Sequence, residues 1–425
     1  MTINKSLRIA LIVTLIATIL SFAKFNHCRG SGWGSPDVYI HMCYSDISAL
    51  YGAREINTDR WPYASSDNSV EYPVLTGIVM WATGLFIDDP NGYKIYFDLN
   101  IALIIALLFA SVSVLWRLKP EFTPLFPIAP AVFGSLFINW DIYAVLFALL
   151  SLYFFHNNKF DLSALFMGIA ISTKFYPGVM LFGIALIFWN QKNFTKLIRY
   201  LLITIASWLV INLPIAMGNY EGWFRFFKLN IERNSDLGSI WYALTLLKLP
   251  SGNINNLTIV IFLIALTAIA LFYSMVAESR DDFANLATVA FLTVAAFVTI
   301  SKVYSPQYIL WLTPLAVLAM TSTKERSAFW IWQGTEALYH FAIWQYLASY
   351  TGAKFGITET FYAITILIRI AGLAWFSRTL VHTALGEGST TTRRAQVNPL
   401  EFLPDSTHGQ AFPPSHEAPS TGIFE

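Results

Sequence analysis

The residues best placed to do chemistry are charged side chains set beside long apolar runs. Asp46 lies in Cys43-Tyr-Ser-Asp46-Ile, Asp37 precedes it by nine residues, and Asp141 closes Asn139-Trp140-Asp141. A carboxylate at the edge of a membrane loses hydration, which raises its pKa toward the range useful to a general base. The plainer alternatives are a solvated loop carboxylate, an N-cap for a helix starting near Ile47, and a cap at the tight turn around Asp141. Two cations sit in matching surroundings, in Lys174-Phe-Tyr176-Pro177 and in Lys302-Val-Tyr304-Ser-Pro-Gln307-Tyr308. Each combines a cation, tyrosine and a helix-breaking proline between apolar segments. Snorkelling of a lysine to the interface is the bland explanation of either one. The repetition favours the sharper one, an anionic phosphate ligand facing the acids.

These groups must be held by membrane helices. Only 12% of the 425 residues are charged and 56% are hydrophobic, about half the usual charge of a globular domain. Uncharged runs such as Ile101–Trp116 and Leu201–Met217 approach the length needed to cross ~30 Å of hydrocarbon. Backbone groups there must satisfy one another, so the spans are expected to be helices. Repeated alternating segments of a β-barrel are absent, and a net charge of +1 offers nothing to nucleic acid. The fold expected is an all-α polytopic bundle of about 12 transmembrane helices, at 7–23, 98–116, 122–138, 142–156, 162–173, 178–190, 198–216, 255–276, 284–300, 308–320, 328–349 and 360–384. The first resembles a signal peptide, but Lys5 and Arg8 suit a retained helix with a cytoplasmic start. Val74–Ile87 is too short to cross and reads as a re-entrant or interfacial segment in the first outer loop.

With that segment returning, the basic turns Arg117–Lys119, Lys192–Arg199 and Lys324–Arg326 all fall on the cytoplasmic side, as the positive-inside rule prefers. The other side then collects 24–100, 139–141, 174–177, 219–252 and 302–307, which hold every unusual polar motif. Gly222–Asp236 is amphipathic, with Trp223, Phe224, Phe227 and Ile231 on one face and Arg225, Lys228 and Glu232 on another. It suits a helix lying in the interface, or one packed on the bundle. Cys28 and Cys43 share the first outer loop, where an oxidising exterior permits either a disulfide or two separate thiols. Residues 1–384 form one domain, and 385–425, rich in Ser, Thr, Pro and Glu, read as a disordered cytoplasmic tail. Both termini are thus cytoplasmic in a multi-pass plasma-membrane protein. No metal-ligand spacing, P-loop or dinucleotide fingerprint is present, so neither metal nor cofactor is expected.

Asp46, Glu71-Tyr72-Pro-Val-Leu-Thr-Gly77, Asn139-Trp140-Asp141, Thr173-Lys174-Phe-Tyr176-Pro177 and Lys302–Tyr308 together resemble the actinobacterial membrane glycosyltransferases of the GT-C fold, glycosyltransferase family 87. The likeness runs in order from the first helix to about residue 384, and departs from the commoner Tyr-Pro-Pro at Tyr72-Pro-Val. It implies inverting transfer of a sugar, mannose favoured, on the extracytoplasmic face. The donor would be a polyprenyl-phospho-sugar and the acceptor a cell-envelope glycolipid or glycan. The family's first-loop aspartate falls on Asp46 as the base, with Asp141 and Asp37 as the next candidates. Lys174, Lys302, Tyr176 and Tyr304 are expected at the donor phosphate, and Glu71, Tyr72, Trp140, Arg225, Lys228 and Gln307 against substrate or lipid. An arabinofuranosyltransferase of the same fold is one alternative. A transporter or flippase of lipid-linked sugars is the other, though the inverted repeats such proteins use are not evident.

Overall fold

The computed structural model describes residues 5–250 and 252–396, with side chains through 386. Among the described residues there is no strand, and eighteen helices follow one another: α1 Lys5–Ser31, α2 Asp37–Ile40, α3 Asp46–Ala53, α4 Val74–Gly84, α5 Tyr93–Leu118, α6 Leu125–Ile128, α7 Pro130–Ser135, α8 Asp141–His156, α9 Phe160–Thr173, α10 Pro177–Asn190, α11 Phe194–Gly218, α12 Tyr220–Glu232, α13 Ile240–Leu246, α14 Ile254–Val276, α15 Asp282–Ile300, α16 Ile309–Ala319, α17 Lys324–Tyr350 and α18 Glu359–Gln396. The helices α1, α5, α11, α14, α15 and α18 are each long and apolar enough to cross a bilayer. The chain is a multi-pass membrane protein. Its polarity is inverted accordingly. Leu202, Ile205, Val210 and Met217 of α11 and Ile259, Leu263, Ile264 and Leu271 of α14 are exposed, as apolar side chains are where hydrocarbon is the solvent.

The expected span at 122–138 is instead two short helices, α6 and α7. Pro124, Pro127 and Pro130 account for the break, since proline removes a donor and disfavours helix in the residue before it; Ala129 is accordingly extended, at ψ 125°, and Pro130 restarts the helix at its first position. The helix α4 has 11 residues, so it spans only about 16 Å, roughly half of the hydrocarbon core. It packs against α5, α9 and α11, and Thr76 Oγ1 donates to the Thr173 carbonyl at the end of α9 (2.6 Å). The last helix runs to Gln396, and 397–425, most of the expected tail, lie outside the described residues.

Inside the bundle α17 packs along α18, α8 against α5 and α9, and α15 against α10 and α16. One charged pair is sealed there. Arg369 of α18 donates through Nε to Glu336 Oε2 of α17 (2.7 Å), and both side chains are almost fully buried. Its remaining N–H groups donate to the carbonyls of Tyr304 (2.6 Å) and Ser305 (3.2 Å). Tyr304 donates its hydroxyl to Glu336 Oε1 (3.0 Å), and its ring lies 3.4 Å from the guanidinium carbon. These contacts tie the 302–308 segment to the interior. Gly238 supports it from the other side, at φ +77°, where a Cβ would run into the Tyr304 carbonyl and the Tyr339 hydroxyl. Only glycine tolerates both that φ and that approach.

Candidate functional site

The site grows from places where helices break. Ser45 caps α3, accepting from the Ile47 N–H (3.2 Å), while its own hydroxyl donates to the Phe137 carbonyl (2.7 Å). The Asp46 N–H donates to the Ile138 carbonyl (2.7 Å). Asp46 is therefore the first residue of a helix stitched to the turn that carries Asn139 and Asp141. Asp141 is itself the first residue of α8. Both carboxylates thus lie at helix N-termini, where the backbone dipoles favour an anion. Asn139 joins them: its Oδ1 accepts from the Asp141 N–H (3.0 Å) and its Nδ2 reaches Asp46 Oδ2 (3.5 Å).

The two acids have different surroundings. Asp141 is fully buried and accepts at Oδ1 from Trp311 Nε1 (2.9 Å), with Lys174 Nζ at 3.1 Å from the same oxygen. It is the counter-ion of Lys174. Asp46 is half-buried in the wall of a cavity of about 790 Å³. Its two oxygens accept from neutral donors, Tyr44 Oη at Oδ1 (2.9 Å) and Tyr72 Oη at Oδ2 (3.0 Å). Burial pushes the Asp46 carboxyl above the usual range, opposed by the hydrogen bonds from Tyr44 and Tyr72, the nearby Lys174 charge and Asn139. Burial, reinforced by the charges of Asp46, Asp141 and Glu71, holds the Tyr72 phenol well above its ordinary value, so it stays protonated and able to donate. Lys174 Nζ stands 4.3 Å from the centre of the same Tyr72 ring, so one side chain touches both the carboxylate and the cation.

Other walls of the cavity come from α12, α14 and the 302–308 segment. Arg54, Glu71, Tyr176, Arg225, Arg233, Asp236, Lys302 and Gln307 all line it. Several are already committed to each other. Arg54 clamps Glu71 bidentately (2.7 and 2.9 Å), and Arg233 pairs with Asp236 (3.2 Å). Tyr176, Trp311 and Tyr308 form a continuous stack, with centroid spacings of 4.4 and 3.7 Å. Lys302 donates to the Ile231 carbonyl and to Asn255 Oδ1 (both 2.8 Å). Burial lowers its pKa, with the Arg233 charge adding to the shift. Arg225 donates through Nη1 to the Ser66 carbonyl (2.9 Å), while its Nε is buried with no protein acceptor. Among the described residues, these two cations face only neutral acceptors.

Several expected site residues stand apart from the cavity lining. Tyr304 is turned inward to Glu336 and Arg369. Trp140 is buried behind Tyr72, edge-on at 6.0 Å, and donates to Asn100 Oδ1 (2.7 Å). Lys228 is exposed on α12, and Asp37 is held by His27, His41 and Ser31. Cys28 and Cys43 are joined in a disulfide with Cα atoms 5.9 Å apart. The helix α12 presents Phe226, Phe227, Leu229, Asn230 and Ile231 to the cavity, and Asn219 caps it by accepting from the Gly222 N–H (3.1 Å). Tyr44, Asn139, Arg233, Asp236 and Trp311 had drawn no role from the sequence, and neither had the Arg369–Glu336 pair beneath. A lone Arg and Glu inside apolar spans were a signal for that pair.

No protein-family model matches the chain, and no curated protein matches its sequence. Among solved structures it is similar to ArnT from Cupriavidus metallidurans, solved bound to undecaprenyl phosphate. The two share 16% identity and a TM-score of 0.46, over 90% of this chain and 77% of that one.

Proposed function

We propose that this protein is an inverting GT-C-type membrane glycosyltransferase of the family 87 kind. It transfers a sugar, mannose favoured, from a polyprenyl-phospho-sugar to a cell-envelope glycolipid or glycan on the extracytoplasmic face. The observation that carries the reading is the division of charge in one cavity. A half-buried carboxylate held only by neutral donors and amides, Asp46, lines the same space as Lys302 and Arg225, two cations that lack an acid partner among the described residues. A base and a waiting anion site are what this reaction needs.

In the proposed step the Asp46 carboxylate takes the proton of the acceptor hydroxyl as that oxygen bonds to the anomeric carbon. The anomeric carbon–phosphate oxygen bond breaks, and polyprenyl phosphate leaves with the electron pair. Fixed cations stabilise charge where it develops, a role given to Lys302, Lys174 and Arg225, with Tyr176 and Gln307 alongside. The lipid phosphate is already an activated leaving group, so the step requires no nucleotide-binding domain or metal cluster. Ile259 lines the cavity and is also exposed on the apolar face of α14, which suits a polyprenyl chain entering from the side. Aromatic residues of α12 suit the same lipid. Glu71 and Tyr72 frame the acceptor side.

Purified protein supplied with polyprenyl-phospho-mannose and a glycolipid acceptor is expected to form a new glycosidic bond without any second compartment. Asp46→Asn should lower turnover about 10²–10⁴-fold, the typical worth of a general base, while donor binding persists. An Asp46→Asn variant within a few-fold of wild type would overturn the assignment of the base. The same assay with a polyprenyl-phospho-arabinofuranose donor decides the sugar.

A further inference from the structure

His27 at the end of α1, and Asp37 and His41 at the two ends of α2, take no part in the cavity. His27 Nε2 lies 2.9 Å from Asp37 Oδ2, and His41 Nδ1 lies 2.9 Å from Asp37 Oδ1. The two imidazoles are stacked, with centroids 3.6 Å apart. One donor atom from each residue falls within 4.8 Å of the other two. We propose that these three side chains form a binding site for a divalent transition metal of the zinc class.

Coordination requires the donor atoms to close and one ring to turn out of the stack, because each imidazole offers its lone pair in its own plane. Ligand atoms around a tetrahedral zinc at about 2.0–2.2 Å sit roughly 3.4 Å apart, so the present trio needs to close by only about 1.5 Å at its widest. The donor set is two imidazole nitrogens and a carboxylate oxygen. Calcium and magnesium take oxygen ligands. The neighbouring sulfurs are joined to each other, so no thiolate is on offer to a softer ion. The ligands are also held in place before any ion arrives. Cys28 follows His27 directly, Cys43 lies two residues beyond His41, and their disulfide clamps the two segments together. The backbone of α2 closes over itself through the His41 N–H to the Asp37 carbonyl (3.0 Å) and the Cys43 N–H to the Val38 carbonyl (2.9 Å). Ser31 Oγ donates to Asp37 Oδ2 (2.9 Å), the kind of outer contact that orients a metal-binding carboxylate. All three side chains are about two-fifths exposed, so an ion reaches them from solvent. A fourth position stays open to water or another oxygen ligand.

The site also has a structural consequence. Asp46 begins three residues after Cys43, so an ion shared by α1 and α2 fastens the segment that leads into α3. This holds whatever reaction the cavity performs.

The test is zinc binding by the full-length chain, free of any affinity tag, in detergent. After loading with zinc chloride and dialysis against zinc-free buffer, wild type should retain one more zinc per chain than His27→Gln/His41→Gln. His41→Gln alone should weaken binding about 100-fold or more, beyond the usual penalty for losing an outer-shell contact. Zinc should raise the melting temperature of wild type and not of the double variant. The melting temperature of both proteins in chelator reports whether the substitutions leave the fold intact. If the double variant fails to fold, Asp37→Asn takes its place in the same comparison. Equal zinc retention and equal thermal response in wild type and folded variant would overturn the site.

Discussion

Replacing Tyr72 with Phe removes one hydroxyl and leaves the ring, including the face that Lys174 approaches at 4.3 Å. What is lost is the 3.0 Å hydrogen bond to Asp46 Oδ2. That bond favours the ionised carboxylate and opposes the burial that raises its pKa. A hydrogen bond to a charged group contributes about 1.5–3 kcal/mol, and 1.36 kcal/mol is one pKa unit. Tyr44 and Asn139 remain to compensate in part, so the Asp46 pKa is expected to rise further without the Tyr72 hydroxyl. A base works only when ionised. At pH values below its pKa the variant should therefore lose about tenfold in kcat/KM, while the plateau at higher pH stays within a few-fold of wild type. The assay is the pH profile of kcat/KM for sugar transfer, which reports the free enzyme. An acidic limb that does not move, or a variant dead at every pH, would refute the reasoning. In the second case the Tyr72 hydroxyl would act on the substrate itself. The raised pKa also carries a stability sign. Asp46 in its folded setting resists ionisation, so its contribution to stability is greatest below the unfolded pKa and is lost as pH rises through the folded one. Asp46→Asn should accordingly melt no lower than wild type at neutral pH, which separates loss of catalysis from loss of fold.

Two further perturbations probe the cations. Lys302→Gln removes a charge that no acid neutralises among the described residues, so it should raise the KM for the polyprenyl-phospho-sugar and leave that for the acceptor nearly unchanged; equal effects on both would count against a phosphate contact. Arg369→Met leaves Glu336 charged and buried, and should destabilise the fold by about 3–5 kcal/mol, whereas Arg369→Met/Glu336→Leu should recover much of that loss in thermal melts. A double variant as damaged as the single one would mean that the carbonyls of Tyr304 and Ser305, and not Glu336, are what Arg369 chiefly serves.

How far the site was legible in the sequence varies with distance along the chain. Lys174-Phe-Tyr176-Pro177 announces its own break, and the structure ends α9 at Thr173 and restarts at Pro177. The amphipathic helix at α12 was equally plain, because 3.6-residue periodicity is local, but its cavity side combines Arg225 with Phe227 and Ile231, which the periodicity places on different faces. The break at 129–130 was written in three prolines but masked by a run of 17 uncharged residues that satisfied a length criterion. Pairing was the hidden part. Asp141 and Lys174 each look like an isolated charge at the edge of a span, the first read as an alternative base and the second as a contact to the donor phosphate. Their 3.1 Å approach depends on α8 and α9 folding back as a hairpin, which side-chain types alone do not specify. The same holds for Arg369 and Glu336, and for the choice between a disulfide and two thiols at Cys28 and Cys43.

That pairing changes what the charges around the cavity can do. Lys174 meets a buried acid, Arg54 meets Glu71 and Arg233 meets Asp236, so three of the five lining cations are held in place by acids. A paired cation is well positioned but partly neutralised, and it suits orientation better than capture. Lys302 and Arg225 are held by carbonyl and amide oxygens instead, which fix position without cancelling charge. Both side chains are half-buried, so solvent screens their attraction for an anion only in part. Arg369 completes the logic from below. It anchors the carbonyls of Tyr304 and Ser305, so the segment bearing Lys302 does not follow an arriving phosphate. Under the proposed function, capture of the phosphate would fall to Lys302 and Arg225 on the side formed by α12 and the 302–308 segment, with the paired Lys174 orienting it, and proton transfer to the side formed by α3 and Tyr72.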